Sequence, residues 1–221
     1  RFDNVTGVQT CALPICETTK KLQFRNKLPM TPNDSRNVVN RYKGVPIEQI
    51  INDLDAHGSM LEIAIDNVER DFNMGTIVRS ANAFGVRHVH VIGRRQWNKR
   101  GAMMTDKYLH VHYYAAADDF MYAIAGKELI AIDNVDGSQP LSRTKLPRNA
   151  VLLFGAERSG IRQELLRYAA RTIAIEQFGS TRSLNVGVAA GIVMYAWVQQ
   201  HRLQRYSMLE GISIIDRKSV V

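Results

Sequence analysis

Hydrophobic and polar positions alternate along most of this chain in blocks that predict strands and helices in succession. Short apolar or alternating runs predict strands at residues 61–65, 86–92, 110–114, 129–132, 151–154 and 172–175. Helical spacing of apolar residues predicts helices at residues 45–57, 73–84, 118–126, 161–168 and 184–200. Pro46 is expected in the first turn of the first helix, and Gly85 is expected just beyond the end of the second.

The order of these elements predicts an α/β fold with a mostly parallel sheet and helices on both faces. Strand, helix and strand follow one another through short connections, which is the pattern of parallel sheets. Ligands of such sheets bind beyond the carboxyl ends of the strands. We therefore expect the loops that follow Ile132, Phe154 and Ile175 to meet at one ligand-binding edge.

The segment from residue 175 to residue 197 has the local features of a binding site. Ile175 ends an apolar strand, a polar loop with Gly179 follows, and Ser183 stands where the N-cap of a long helix is expected. Unpaired N–H groups at a helix N-terminus favour ligand binding in such a loop. An ordinary strand–turn–helix connection with a capping Ser explains the same pattern equally well.

Two earlier segments also combine a strand end with polar residues and glycine. In the first, Asn73-Met74-Gly75 begins a helix that contains Arg79. In the second, the strand ending at Phe154 is followed by the sequence GAERSG, which contains Glu157. Taken separately, Arg79 has the features of a surface charge and the glycine loop those of a plain connection.

Together and in this order, the three segments resemble the signature motifs of the SpoU (TrmH-like) branch of the SPOUT superfamily, the RNA 2′-O-ribose methyltransferases. The motif N-x-G followed by Arg matches residues 73–79, the motif G-x-E-x-x-G matches residues 155–160, and the motif S-L-N-V matches residues 183–186. The resemblance extends over about residues 61–200. Two positions depart from the family pattern: Glu176 stands where Pro is usual, and Gly187 stands where Ser is usual.

The resemblance implies a C-terminal trefoil knot that binds S-adenosylmethionine. The cofactor pocket would use mainly backbone groups of Ile132, Gly155, Ile175 and Leu184. The resemblance also implies a homodimer that acts on tRNA or rRNA rather than on DNA. The expected location is the cytoplasm, with no metal and no membrane involved. The apolar C-terminal helix would supply the core of the knot, the dimer contact or both.

The same resemblance implies the catalytic residues: Arg79, Asn73, Glu157, Ser183 and Asn185. A ribose 2′-hydroxyl is a poor nucleophile, so its proton must be withdrawn or its alkoxide stabilised. Arg79 is expected to stabilise the developing negative charge and to bind the target phosphate, because an arginine stays protonated. Asn73, Ser183 and Asn185 would position Arg79 and the ribose, and Glu157 would orient Arg79 or an Asn.

Composition narrows the classes of function. A chain of 221 residues with 45% hydrophobic residues can form a substantial core, and its net charge of +8 favours a polyanionic partner. The cysteines, Cys11 and Cys16, show no metal-ligand spacing with the histidines, so a disulfide scaffold or a zinc site is not expected. His110 and His112 are expected on the surface of a strand. No apolar run is long enough to span a membrane.

The predicted domain organisation has four parts. Residues 1–16 have no helical or strand period and are expected to be a non-native leader, and residues 17–58 form a basic extension with a short helix. Residues 59–205 form the methyltransferase domain. Residues 206–221 form a tail whose end, like the leader, is expected to be non-native. Between residues 20 and 43, seven Lys or Arg face one acid, which predicts an extended, loosely ordered arm. The arm either contacts RNA phosphates or is merely solvated.

The loop at residues 94–100 places four cationic side chains around Trp97. This arrangement suits phosphate contact combined with stacking on a base. The alternative is a mobile surface loop with Trp97 packed beneath it.

Two other functions compete with methyl transfer. One is a non-catalytic RNA-binding or assembly factor with the same fold, although all five candidate catalytic residues are present. The other is a dinucleotide-dependent oxidoreductase, which lacks its G-x-G-x-x-G turn because the chain has Asn73-Met74-Gly75 after the first strand.

Overall fold

The computed structural model of the protein describes residues 34–67, 73–156 and 159–203. The strands are β1 (Glu62–Asn67), β2 (His88–Gly93), β3 (His110–Tyr114), β4 (Glu128–Ile132), β5 (Gln139–Pro140), β6 (Ala150–Phe154) and β7 (Arg171–Ala174). The helices are α1 (Ile47–His57), α2 (Asn73–Ala83), α3 (Ala117–Ala123), α4 (Gln163–Leu166) and α5 (Val186–Val198). A π-helical turn, Gln199–Leu203, extends α5.

The strands form one seven-stranded sheet in the order β3-β2-β1-β6-β4-β7-β5. Every pair of neighbours is parallel. The predicted α/β fold with a mostly parallel sheet is therefore confirmed, and the described sheet is parallel throughout. The trefoil knot stays a prediction.

Helices cover both faces of this sheet because successive side chains of each central strand point to opposite sides. Ile63 and Ile65 of β1 pack in a core cluster with buried residues of α2 and α5. Ala64, between them, belongs to a second cluster with residues of α3 and α4. All six residues of β1 are buried, as expected for a central parallel strand.

The C-terminal helix begins later than the sequence predicts, and its N-cap is Asn185. The Oδ1 atom of Asn185 accepts hydrogen bonds from the N–H groups of Gly187 at 3.0 Å and Val188 at 3.2 Å. Ser183 is exposed, and its carbonyl accepts a hydrogen bond from the Thr181 hydroxyl. The prediction of Ser183 as the N-cap is wrong, because Asn185 is the residue placed to satisfy the first free N–H groups of the helix.

Two other helices differ from their predicted bounds. The helix predicted at residues 161–168 is the short α4, which begins after Arg162. Buried Asp66 binds both the backbone N–H and the Nε–H of Arg162, at 2.9 and 2.8 Å, and holds the chain in a turn there. Pro46 is the N-cap of α1 rather than a first-turn residue. Gly85 follows α2 with φ of 75°, as the sequence predicts.

Residues 34–46 make specific contacts with one another and with α1, rather than forming the loosely ordered arm that the sequence predicts. Arg36 forms an ion pair with Asp34 and donates a hydrogen bond to the carbonyl of Val45 at 2.9 Å. Tyr42 packs with Ile50 of α1 and with Tyr108 in a third core cluster. The loose arm is thus wrong for the described part of the extension. Residues 17–33, the expected leader at 1–16 and the tail at 206–221 lie outside the described residues.

Candidate active site

A cleft lies at the carboxyl ends of β4, β6 and β7, where the sequence predicts a ligand site. It holds about 640 Å³ of empty space, part of it open to solvent. The lining residues are Ile132, Asp133, Asn134, Phe154, Gly155, Ala156, Gly160, Ile173, Ala174, Ile175, Gln177, Ser183, Leu184, Val186 and Ala189. The expected convergence of the loops after Ile132, Phe154 and Ile175 is found.

All four residues predicted for the cofactor pocket line this one cleft: Ile132, Gly155, Ile175 and Leu184. The sequence did not single out Asp133, Asn134 or Gln177, which line it as well. Asp133 and Asn134 were apparent only as a polar loop after a strand. Gln177 was apparent only as a neighbour of the unusual Glu176, and no local pattern places its side chain in the cleft.

Gly155 allows a close backbone approach that shapes the cleft wall. A Cβ atom on Gly155 would lie 2.2 Å from the carbonyl carbon of Gly160, so a side chain does not fit there. Ala156 and Gly160 exchange backbone hydrogen bonds of 3.1 and 2.9 Å across this turn. Glu157, predicted to be catalytic, lies outside the described residues.

The first and third sequence motifs meet directly. The Nδ2 atom of Asn185 donates a hydrogen bond of 2.8 Å to Oδ1 of Asn73 at the start of α2. Because Asn185 also caps α5 through its Oδ1 atom, one side chain fixes two helix N-termini relative to each other. Gly187 lies against α2, where a Cβ atom would be 3.1 Å from Cγ2 of Thr76. The Ser that is usual at this position would press on Thr76.

Arg79 lies on α2, six residues beyond Asn73, and its side chain is exposed. An exposed guanidinium is accessible to a phosphate or a ribose oxygen. The structure therefore brings Asn73, Asn185 and the helix of Arg79 together, and it places Ser183 and Leu184 in the wall of the adjacent cleft.

Glu176 does not place its charge in the cleft. Its carboxylate accepts hydrogen bonds from the backbone N–H and the hydroxyl of Ser142. The hydrogen bond from the Ser142 hydroxyl lowers the pKa of Glu176 below its usual value. Glu176 is absent from the cleft lining, whereas Gln177 faces the cleft.

The basic loop at residues 94–100 lies close to the N-terminus of α2. A Cβ atom on Gly75 would lie 2.8 Å from the backbone N of Ala102 and 3.0 Å from the carbonyl O of Asn98, so the two backbones touch. Trp97 is half-buried, packs against the core and donates a hydrogen bond to the Tyr113 hydroxyl. This placement favours the packed alternative for Trp97 over stacking on a base.

The histidines of β2 and β3 form a separate cluster towards the amino ends of the strands. His88 contacts His112 at 3.0 Å, and the Nε2–H of His90 donates to Glu62 at 2.9 Å. His110 is hydrogen-bonded to Asp55. In the described part of the chain, no group of three or more His, Cys, Asp or Glu side chains is arranged to hold a metal ion. Across the same residues, no helix has the length and apolar character needed to cross a membrane.

Sequence comparison relates the chain to known methyltransferases. A model of the SpoU rRNA Methylase family matches residues 60–195. The tRNA (guanosine(18)-2'-O)-methyltransferase of Escherichia coli strain K12 is 26% identical over 147 residues, which cover 64% of each chain. The Thermus thermophilus enzyme of the same name is 28% identical over 149 residues, covering 65% of this chain and 76% of that protein. The chain thus spans just under two thirds of the length of its E. coli relative.

Comparison with solved structures also finds similar folds among RNA-modifying enzymes. The TrmH/SpoU tRNA modifying enzyme of A. aeolicus superimposes with a TM-score of 0.63 at 22% identity, covering 77% of this chain and 89% of that one. An AdoMet-bound rRNA methyltransferase from Sinorhizobium meliloti gives a TM-score of 0.57 at 26% identity, covering 64% of this chain and 56% of that one. The first likeness shows the fold alone. The second relates the fold to a protein that binds the expected cofactor.

Proposed function

The chain belongs to the SpoU rRNA Methylase family, and we propose that it is a methyltransferase that transfers a methyl group from S-adenosylmethionine to a ribose 2′-hydroxyl of tRNA or rRNA. One observation carries the proposal. The cleft at the carboxyl ends of β4, β6 and β7 lies beside the hydrogen bond that joins Asn73 to Asn185, at the start of the helix that presents Arg79.

The chemistry of the cleft fits S-adenosylmethionine. Apolar side chains of Ile132, Ile175 and Leu184 suit a flat purine, and oxygen atoms of Asp133 and Asn134 suit hydroxyl or ammonium donors. Gln177 also lines the cleft. When bound, the cofactor supplies a methyl group on a positively charged sulfur atom.

In the proposed mechanism the protein prepares the nucleophile. Arg79, a fixed positive charge, binds the phosphate next to the target ribose and stabilises the negative charge that develops on the 2′-oxygen. The proton of the 2′-hydroxyl passes to solvent water as this oxygen forms its bond to the methyl carbon. Asn73 and Asn185, joined by their hydrogen bond, hold the start of α2 against α5 and so fix the position of Arg79. Ser183, exposed at the cleft wall, is proposed to bind the ribose, and Glu157 is proposed to orient Arg79. Alignment of the two reactants supplies much of the rate.

RNA contact is proposed to extend from the cleft to nearby basic side chains. Lys99 and Arg100 are exposed in the loop that touches the start of α2, and they would bind backbone phosphates. The relatives named as tRNA methyltransferases support an RNA acceptor. The basic extension before β1 is proposed to add further phosphate contacts.

We further propose a homodimer and a cytoplasmic location. Val188, Ile192 and Tyr195 lie on one face of α5 at helical spacing and are exposed by 52%, 39% and 45%. A second copy of the chain packing on this face would bury an apolar stripe next to the active site. A C-terminal knot formed by the segment that includes α5 is part of the same proposal.

The test is transfer of labelled methyl groups from S-adenosylmethionine to RNA, separated by size into tRNA and rRNA, followed by mapping of ribose methylation. The RNA must come from cells that lack the native modification. Incorporation at one ribose 2′-position is the expected result. Methylation of a base would overturn the proposed acceptor. Tight RNA binding by a protein that binds no cofactor would favour the non-catalytic RNA-binding function instead.

A further inference from the structure

The loop between β7 and α5, residues 175–185, carries an aromatic side chain that is almost fully exposed. Phe178 is 96% exposed, and residues 178–183 are all exposed. A Cβ atom added to the next residue, Gly179, would meet no other atom within 4 Å. The ring of Phe178 therefore lies in solvent, with room beside it for another flat group.

Exposure alone does not assign a function, because single apolar residues occur on the surface of many proteins. Tyr122 of α3, which is 88% exposed, is such a case. Its hydroxyl can bind water, and the first turn of its helix carries Asp118 and Asp119. Phe178 has no polar atom in its side chain, and it differs from Tyr122 in position, in the way its loop is held and in the charges around it.

The first difference is the position of Phe178 next to the cleft. The preceding residue, Gln177, lines the cleft, and so does Ser183 at the end of the exposed segment. Phe178 does not line the cleft, so its ring lies outside the space proposed for the cofactor. The segment that carries the ring thus borders the opening through which a substrate would approach that cofactor.

The second difference is that hydrogen bonds hold the loop before and after Phe178. Ser142 donates two hydrogen bonds to the carboxylate of Glu176, from its backbone N–H at 3.3 Å and from its hydroxyl. The carbonyl of Arg182 accepts a hydrogen bond of 3.4 Å from Nδ2 of Asn134. These contacts reduce the conformational freedom that the loop would lose when a substrate binds.

The third difference is the charge of the surroundings. Arg182 is exposed in the loop itself, and the exposed Arg143 follows Ser142, the residue that binds Glu176. Glu176 is the only acid between residues 175 and 185, and the hydrogen bonds from Ser142 engage it. Proteins bind unpaired RNA with this combination, in which cations contact phosphates and a base stacks on an aromatic ring.

We propose that the ring of Phe178 stacks on an unpaired nucleobase of the RNA substrate, beside the target ribose. The inference rests on the proposed function and deepens it in two respects. It names a residue for binding the substrate that none of the three sequence motifs provides. It also restricts the acceptor to a nucleotide outside a continuous duplex, because a base that stacks on a side chain must leave its neighbours in the helix.

The experiment measures RNA binding by the full-length wild type, Phe178→Leu, Phe178→Trp and Tyr122→Leu. The RNA is the tRNA or rRNA fraction that accepts methyl groups, and binding is measured by filter retention. Phe178→Leu keeps an apolar side chain without a flat face and should bind about tenfold more weakly, as expected for the loss of one stacked base. Phe178→Trp keeps a flat face and should bind at least as tightly as the wild type. Tyr122→Leu, the matched control, should retain the wild-type affinity.

Salt dependence and kinetics separate stacking from other roles. Because Phe178→Leu removes no charge, its loss of affinity should be the same between about 50 and 200 mM salt. In methyl transfer, the KM for RNA should rise by a similar factor. The affinity for S-adenosylhomocysteine and the melting temperature should keep their wild-type values, since the exposed ring supports neither.

Equal RNA affinity of Phe178→Leu and the wild type would overturn the inference and leave the proposed function intact. Phe178→Trp that binds as weakly as Phe178→Leu, a lower melting temperature of Phe178→Leu, or a methylated nucleotide mapped within a continuous duplex would do the same. A wild-type dimer that dissociates in Phe178→Leu, measured by light scattering, would mean that a second copy covers the ring, and would overturn the inference as well. Absence of methyl transfer by the wild type would overturn the proposed function together with the inference.

Discussion

The amino ends of the parallel strands, called the amino edge of the sheet, differ from the carboxyl ends, called the carboxyl edge. The difference lies in how their polar side chains are paired. At the amino ends of the strands, Glu62 is bound by His90 and Lys127, and Arg171 pairs with Glu128. At the carboxyl ends, the cleft is lined by the exposed residues Asn134 and Ser183. At the amino ends these side chains pair with one another, whereas at the carboxyl ends an open cleft lies beside paired groups such as Asp66 and Arg162.

This difference separates residues that stabilise the fold from residues that are available to bind a ligand or to take part in catalysis. Buried polar groups that are mutually paired fix the packing of their elements and offer little to a ligand. Burial opposes ionisation of Glu62, but the hydrogen bonds from His90 and Lys127 prevail and lower its pKa to about 2. Damage at the amino edge should therefore appear in the free energy of unfolding, and damage at the carboxyl edge should appear in binding and turnover.

The largest expected effect is that of Arg79→Ala on methyl transfer. Removing a positive charge that stabilises a developing oxyanion should lower kcat by about 10²–10³-fold. Because the side chain is exposed, the melting temperature and the affinity for S-adenosylhomocysteine should stay at their wild-type values. Arg167→Ala, which removes an exposed arginine beyond α4, is the control and should retain full activity. An Arg79→Ala protein with normal turnover would refute the role of Arg79.

The next effect is that of Glu62→Gln on stability. The change removes the negative charge that accepts charge-assisted hydrogen bonds from His90 and Lys127, which should cost about 2 kcal/mol of unfolding free energy. For a chain of this size that loss lowers the melting temperature by about 5 °C. Affinity for S-adenosylhomocysteine, measured well below the melting temperature, should not change. Glu48→Gln, at an exposed position of α1, provides the comparison, and equal melting of the two variants would contradict the assignment.

Asn185→Ala should affect both stability and turnover, to a smaller extent. It removes the N-cap of α5 and the hydrogen bond to Asn73, with a loss of about 1 kcal/mol in unfolding free energy. Turnover should fall because α2 and Arg79 are held less firmly. Ser183→Ala is the comparison, since Ser183 is not the cap and its loss should leave the melting temperature unchanged. A lower melting temperature for Ser183→Ala would instead support Ser183 as the N-cap of α5, as predicted from the sequence.

The smallest effect is a pH dependence that comes from the amino edge. Burial lowers the pKa of His88 and of His112 below their usual value. As the pH falls below about 6.5, the unfolded chain takes up protons that the folded chain resists, so stability should decrease. Melting temperatures between pH 7.5 and pH 5.5 measure this slope, and His112→Gln should reduce it. A slope unaffected by His112→Gln would exclude the cluster as its source.

The sequence predicts the central part of the fold well because physical constraints there are local. Buried parallel strands require continuous apolar runs, and the glycine after α2 requires a positive φ, which Gly85 adopts. The convergence of the loops after Ile132, Phe154 and Ile175 follows from parallel topology alone. The two-residue strand β5 was missed because Gln139 and Pro140 pair with β7 only through tertiary contact.

The sequence predicts the site less well where two residues suit the same role, or where tertiary packing determines the position of a side chain. Ser183 and Asn185 are both good N-cap residues, and only the packing of α5 on Asn73 selects the second. Trp97 in a basic loop suits base stacking by composition, yet its ring packs against the core. Gln177 carries no local signal, since its place in the cleft lining depends on tertiary packing.

The central claim, that ligand chemistry belongs to the carboxyl edge of the sheet, is tested most directly by hydrogen–deuterium exchange with and without S-adenosylhomocysteine. We predict protection of the loops after β4, β6 and β7 and of the first turn of α5, with no change around His88, His90 and Glu62. Protection at the amino edge, or none at the three loops in a protein that binds the compound, would contradict it.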